Sequence, residues 1–146
     1  PVLLKFETIF RKGQNNANNI RTSYNAFVGG LEWNIIRFIG KVWDLSLYGE
    51  YNFDNREEQS PETLQNDLFI GGLINFNDIS GSEVFLSSTI DLDGAGNTIH
   101  FESSKRFGES WRIGGAINFY WRSKVSDPLY SLRRDDYTEF FVRRYF

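Results

Sequence analysis

Apolar and polar residues alternate with a period of two over most of this chain. From Val42 to Asp54 one parity reads Trp43, Leu45, Leu47, Gly49, Tyr51 and Phe53, and the other reads Asp44, Ser46, Tyr48, Glu50 and Asn52. Such alternation predicts a β-strand with one apolar and one polar face. The pattern recurs, with different clarity, in seven other segments: 4–10, 27–35, 68–76, 84–92, 99–107, 111–121 and 140–146. No segment has the pattern of an amphipathic helix, so the sequence predicts an all-β fold of about eight strands.

The connections between these strands predict how the strands are joined. The first, third and seventh, residues 11–19, 54–66 and 122–135, are long and polar, whereas the second, fourth and sixth, 37–41, 77–82 and 108–110, are short. The fifth, 93–97, is also short. Short connections predict an antiparallel meander in which each strand pairs with its sequence neighbours. One side of the sheet would then carry the larger loops, and both chain ends would lie on the tight-turn side.

Composition excludes several classes of protein. The 146 residues make one domain, 1–146, and contain no cysteine, which excludes disulfides, thiolate metal sites and cysteine nucleophiles. A net charge of −3 without a basic run gives no indication of nucleic-acid binding. No run approaches 18 apolar residues, so a membrane helix is excluded, but a membrane strand needs only alternate apolar residues. We expect no cofactor and no metal.

The positions of the aromatic residues favour a membrane strand over a soluble barrel with its apolar face turned inward. Trp33 comes late in a strand that runs toward the short turns, and Trp43 and Trp111 begin strands that leave them. Trp121, Tyr51 and Phe53 fall at the opposite level. Two aromatic belts that flank an aliphatic band are typical of membrane interfaces. The segment 111–121, tilted by ~45°, would rise roughly 25 Å, about the height of a lipid-facing band.

The end of the chain resembles the last strand of bacterial outer-membrane proteins as a class. In that class the final strand ends at an aromatic residue, usually Phe, and here Phe140, Val142 and Phe146 match. The chain departs from the pattern at Arg144, where an aromatic or apolar residue is usual. The resemblance implies an antiparallel up-and-down transmembrane β-barrel in the bacterial outer membrane. It also implies contact with membrane lipid, with lipopolysaccharide and with the barrel-assembly machinery.

In a barrel of this kind the polar parity would face the lumen, and the side chains Leu45, Leu47, Ile70, Ile74, Ile113 and Ile117 would face lipid. The predicted lumen-lining residues are Lys5, Glu7, Glu32, Asp44, Glu50, Asp91, His100, Glu102, Arg106 and Arg112. If the lumen is narrow and dry, these charges need partners. If it is wide, they line a water path and select ions.

The single histidine raises the question of enzyme chemistry. His100 has Glu102 and Asp91 in its neighbourhood, with Ser87, Ser103 and Ser104 within reach, and a Ser/His/acid group would suggest a hydrolase. However, His100 alternates with Ile99 and Phe101, so it should point into the lumen, whereas chemistry on lipid needs groups that lipid can reach. We therefore expect no catalytic residues and no enzyme activity.

Two functions remain open at this level. Eight strands that close alone would form a filled barrel with a structural, adhesive or surface-binding role in its long loops. If further barrel strands or subunits complete the wall, the protein would be a porin or another transport channel. Eight strands, both ends on one side and a complete set of turns favour closure. Pro1, a poor residue to follow a signal-peptidase site, and the small inward residues Gly30, Gly71, Gly114 and Ala116 favour the channel. The pairing partner of residues 1–10 distinguishes the two.

Overall fold

The computed structural model of the protein describes residues 1–93, 96–121, 125 and 128–146. The described residues form one sheet of eight antiparallel strands in chain order. The strands are β1 (Val2–Asn15), β2 (Arg21–Ile39), β3 (Trp43–Asp54), β4 (Asn66–Asn75), β5 (Glu83–Asp91), β6 (Asn97–Phe107), β7 (Trp111–Trp121) and β8 (Tyr137–Arg144). Helix is limited, in these residues, to two 3-10 segments, Glu57–Gln59 and Pro128–Leu132. The predicted antiparallel meander is therefore confirmed.

The register of the strands joins the apolar stripes into one continuous face. Residues directly opposite each other on antiparallel strands point to the same side of a sheet. One row of directly opposite residues crosses the whole sheet, with one residue from each strand. From β1 to β8 it reads Val2, Trp33, Leu47, Gly72, Leu86, Phe101, Ile117 and Thr138. Every position in this row except Thr138 is apolar or glycine. The six residues expected to face lipid all share this face.

Burial is reversed relative to a water-soluble domain. The buried residues on the strands include Asn52, Asp67, Ser87 and Ser104 on the polar face. Large apolar side chains such as Ile70 and Leu86 are exposed on the other face, by 45% and 53%. Among the described residues only Tyr24 and Ala116 are buried hydrophobic ones. The sheet thus protects its polar side and presents its apolar side outward.

The sheet is open. Within the described residues no strand pairing joins β1 to β8, so both are edge strands. Their unpaired edges carry backbone N–H and C=O groups that face away from the sheet. Closure of these eight strands into a barrel is not observed.

The first connection is much shorter than the sequence predicted. It covers residues 16–20, because β1 and β2 continue as a hairpin through pairs such as Asn15 with Arg21. A shift of register follows Arg11, next to Gly13, whose φ is +66°. The run of polar residues predicts a loop here, but a hairpin that is exposed on both faces can be polar on both sides. Residues 94–95, 122–124 and 126–127 of the fifth and seventh connections lie outside the described residues.

The second connection also begins later than expected. Arg37, predicted to start it, lies inside β2, at a bulge between Ile35 and Ile39 where its φ is +58°. The turn itself is formed by residues 40–42. The described residues contain no helix with the length and hydropathy of a segment that crosses a bilayer.

Candidate functional site

All ten predicted lumen-lining residues lie on the polar face of the sheet. Several of them are neighbours across strands: Arg106 is opposite Arg112, and Asp91 is opposite the buried Asp67. Glu50 is opposite Gly30, which in turn is opposite Lys5. The sheet therefore brings together residues that are far apart in the sequence, as the parity of the pattern predicted.

His100 lies in the middle of this face, between two polar partners. Its Nδ1 is 2.8 Å from Asn118 Oδ1, which can only accept, so Nδ1 carries the proton and donates. Its Nε2 is 3.7 Å from a carboxylate oxygen of Glu102. The ring of Phe85 lies 5.9 Å from the imidazole ring, centroid to centroid. The Nδ2 group of Asn118 is buried and has no acceptor among the described residues.

The serines considered for a hydrolase are not arranged as one. Ser87 is directly opposite His100, but no hydrogen bond joins them among the described residues. Ser104 donates its hydroxyl to Glu83 at 3.1 Å, and Ser103 lies on the apolar face opposite Gly115. Asp91 accepts the backbone N–H of Asp93 at 2.7 Å, at the far end of β5. The geometry does not assemble a Ser/His/acid relay.

A second polar cluster lies near the short turns and centres on Arg112. Its guanidinium forms an ion pair with Glu83 and donates to Ser104 Oγ at 2.7 Å. Glu83 begins β5 opposite Ser104. The sequence did not predict it as part of the polar face, because a strand's first residue has alternating neighbours only on its C-terminal side. Arg106 and Arg143 lie opposite Arg112 on either side of it. This end of the polar face is consequently basic.

Toward the β1 edge, the predicted charges have weaker contacts. Lys5 Nζ is 3.8 Å from Glu32, and the lysine side chain is 59% exposed. Glu50 accepts from the side-chain amide of Asn52 at 3.3 Å. Asp44 accepts the backbone N–H of Arg37 at 2.8 Å, which ties the bulge of β2 to the start of β3.

Aromatic rings cover two of the small inward residues that favoured an open lumen. A Cβ atom at Gly71 would lie 3.3 Å from the ring of Phe69, and one at Gly114 would collide with the ring of Phe141. The space above both glycines is thus already occupied by neighbouring side chains. The sequence argument from small residues is weaker than expected, because the parity pattern does not say how neighbouring rings lie.

The aromatic residues of the apolar face follow the predicted belts in part. Trp43 and Trp111 are the first residues of β3 and β7, and Trp121 is the last residue of β7. Trp33 is opposite Leu47, four residues farther along β3 than Trp43. The ring of Phe27 lies 5.7 Å from Tyr51 and 5.2 Å from Phe53 and so adds to the belt at the long-loop side. The assignment of these belts to membrane interfaces stays a prediction.

The last strand presents two of the three residues of the terminal pattern on the apolar face. Phe140 and Val142 lie opposite Gly115 and Ile113 and are largely exposed. Phe146 follows the end of β8 and is fully exposed. The guanidinium of Arg144, the departure from the pattern, lies over the rings of Trp111 and Phe146 at 5.4 and 4.9 Å. Recognition of this strand by an assembly machinery stays a prediction.

A buried ionic cluster joins the connections on the long-loop side. Asp54, Arg56 and Ser60 are 3%, 8% and 2% exposed, and Asp54 accepts hydrogen bonds from both of the other side chains at 2.9 Å. This hydrogen bonding raises the pKa of Arg56. The Arg56 guanidinium also lies 3.5 Å over the ring of Tyr24, in β2. The cluster fixes the connection 55–65 against the β1–β2 hairpin.

No group of metal-binding side chains is assembled in the part of the chain that the structure describes. Comparison of the chain with protein-family models, with curated proteins and with solved structures gave no match.

Proposed function

We propose that this sheet is part of the wall of a bacterial outer-membrane β-barrel whose polar face lines a passage for small solutes. The observation that carries the proposal is the reversed burial. Every strand carries at least one exposed large apolar side chain on the apolar face, whereas the polar face holds buried Asn52, Asp67 and Ser87. An apolar patch of this extent marks a surface that contacts protein or lipid rather than water.

The other reading of the alternation, a soluble barrel that binds a ligand inside, requires the apolar face to be the protected one. Here Leu31, Leu47 and Phe119 on that face are exposed. The polar face carries the ion pairs and hydrogen-bonded clusters that a water-lined wall needs, including Arg112 with Glu83. The proposal assigns no catalytic role to any residue on it.

The unpaired edges require completion of the wall, and the proposed passage requires that further strands complete it. Edge N–H and C=O groups are very unfavourable in the hydrocarbon region, because no water is present to bond them. In a membrane, β1 and β8 must therefore pair with other strands or with each other. Further strands, from additional chain or from other subunits, would satisfy the edges and widen the lumen enough for a water column.

Planar-bilayer recording on the full-length protein tests the proposal. We expect stable ohmic steps with a modest preference for cations, since six of the ten predicted lumen residues are acids and three are Lys or Arg. Glu50→Gln and Glu102→Gln should each lower that preference, whereas Glu109→Gln, in the turn 108–110, should leave it close to wild type. Silence from properly inserted protein would overturn the channel.

The long-loop side supports a second candidate, a surface-binding role. Asn16 donates to Gln59 Oε1 at 2.8 Å, and Ala17 N–H donates to the backbone of Gln59 at 2.8 Å, so two connections form one fixed surface. For this role we expect binding of lipopolysaccharide-bearing vesicles that is lost when residues 56–64 are replaced by a Gly/Ser linker. Insertion without conductance, together with that loss, would favour this role over the channel.

A further inference from the structure

A groove of about 390 Å³ lies on the apolar face across β6, β7 and β8. Its floor contains Ser103 and Gly115, which are directly opposite each other on neighbouring strands. Larger apolar side chains line it, among them Phe101, Ile117 and Phe140. Two adjacent small residues among bulky ones produce a channel of the shape that a straight hydrocarbon chain fills.

The groove contains a cationic side chain, Lys105, although the groove lies on the apolar face. Lys105 lines the groove and is opposite Ile113. This pair lies between the floor pair, Ser103 with Gly115, and the pair Phe107 with Trp111 next to the short turn. Lysine on a lipid-facing strand extends its ammonium toward the interface and leaves its methylenes among apolar groups. Arg144, opposite Trp111, is a second cation on the same face at that end.

Two acids belong to the surroundings of Lys105: Glu139, which lines the groove from the polar parity of β8, and Asp78, which is already engaged. Asp78, in the turn 76–82, accepts the N–H and the hydroxyl of Ser82, each at 2.7 Å, one on each carboxylate oxygen. These hydrogen bonds, with a smaller contribution from Lys105, lower the pKa of Asp78. Among the described residues Lys105 has neither a hydrogen bond nor an ion pair. Its ammonium can therefore bind an anion from outside the chain.

We infer that this groove binds one acyl chain of an anionic phospholipid, with the phosphate of its headgroup at Lys105. The inference rests on the proposed membrane position of the apolar face. The positive charge of Lys105 favours an anionic headgroup. The apolar lining on the side of Lys105 away from the short turns, which includes Phe101 and Ile117, favours a hydrocarbon chain. A phospholipid rather than lipopolysaccharide is the occupant, because Lys105 lies toward the short turns, which face the phospholipid leaflet in outer-membrane barrels.

A second groove on the same face provides an internal comparison. It has a volume of about 650 Å³, lies across β3 to β6, and has Gly72 and Ser88 in its floor. Its lining contains no charged residue among those described. It would accept hydrocarbon chains without distinguishing one headgroup from another.

Native mass spectrometry of the full chain in detergent micelles tests the inference. The micelles are titrated with phosphatidylglycerol or with phosphatidylcholine of identical acyl chains. We expect the wild type to retain one phosphatidylglycerol molecule about fivefold more tightly than one phosphatidylcholine molecule. This is the effect expected of one lysine near an anionic headgroup. Lys105→Gln should remove this preference, whereas Lys41→Gln, in the turn 40–42, should keep it. Ser103→Leu should weaken retention of both lipids by filling the floor, and Ser88→Leu, in the second groove, should leave the preference unchanged.

Several outcomes would overturn the lipid site. They are equal retention of the two lipids by the wild type, a preference that persists in Lys105→Gln, or tighter retention of the lipid anchor of lipopolysaccharide than of phosphatidylglycerol. Protease protection in bilayers separates this result from the proposed function. Protein that inserts but shows no headgroup preference contradicts the lipid site alone, whereas protein that does not insert contradicts the membrane proposal itself.

Discussion

His100 shows how a residue with catalytic potential can be a component of a polar wall. Both nitrogens of its imidazole face partners on the polar side, with Asn118 as the acceptor at Nδ1 and the Glu102 carboxylate near Nε2. A general base for a serine would need a free nitrogen within hydrogen-bond distance of the hydroxyl. The contacts of His100 instead link β6 to β7 and place a polar ring in the middle of the proposed lumen.

We expect His100→Ala to leave conductance unchanged. The variant removes the hydrogen bond to Asn118, so its free energy of unfolding should fall by about 0.5–1.5 kcal/mol. Bilayer recording and denaturant titration in detergent measure the two effects. Loss of a lipid-modifying activity in this variant would contradict the assignment of no catalytic residue.

Single apolar residues give a direct test of the face proposed to contact lipid. Leu47→Arg or Ile117→Arg should each lower the free energy of unfolding by about 2–4 kcal/mol if the site is near the bilayer midplane, because the guanidinium would enter hydrocarbon. Thr89→Arg, on the polar face of β5, should cost clearly less. Reversible unfolding in lipid vesicles makes the comparison, and variants at Leu47 and Ile117 that fold like wild type would remove the basis for the membrane proposal.

Among the strands, the sequence predicted more about the faces than about the ends. A period of two assigns each side chain to a face whatever residue it pairs with, so the ten polar residues fall together on one face and the six apolar residues on the other. The bulge at Arg37 and the extension of β1 and β2 beyond Arg11 depend instead on backbone hydrogen bonds between strands. Almost all residues offer the same backbone groups, so apart from Gly13 beside the shift in β1 these features leave little signal in the sequence.

The two edge strands should behave differently alone and in the complete assembly. In the isolated chain in detergent, the amides of β1 and β8 that point away from the sheet have no partner strand and should exchange hydrogen rapidly. In lipid-embedded full-length protein the same amides should be protected nearly as well as those of β4, because further strands bond them. Hydrogen–deuterium exchange with mass spectrometry compares the three strands. Rapid exchange of both edges in lipid would contradict completion of the wall by further strands.

At the scale of the molecule, the sheet is strongly staggered. The row of opposite residues that begins at Val2, the first residue of β1, reaches β8 at Thr138, its second residue. β1 therefore continues from this row toward the long loops, while most of β8 continues toward the short turns. A stagger of this sense is what strand tilt produces in a barrel wall, and it fixes which residues would meet if the eight strands closed by themselves.

Cysteine pairs can therefore decide the size of the ring. A tilt of about 35–45° over eight strands corresponds to a stagger of roughly eight to eleven residues, so self-closure would place Phe140 opposite Thr8 or Phe10. The chain has no cysteine of its own, so Phe140→Cys combined with Thr8→Cys or with Phe10→Cys gives a clean oxidative cross-link assay. Ile113→Cys with Val142→Cys, directly opposite in the sheet, is the positive control. Because we propose a larger wall, we expect the control pair to cross-link within one chain in inserted protein and the edge pairs not to. An intrachain cross-link between the edges would show closure at eight strands, exclude a wide lumen, and leave the binding surface of the long connections as the function.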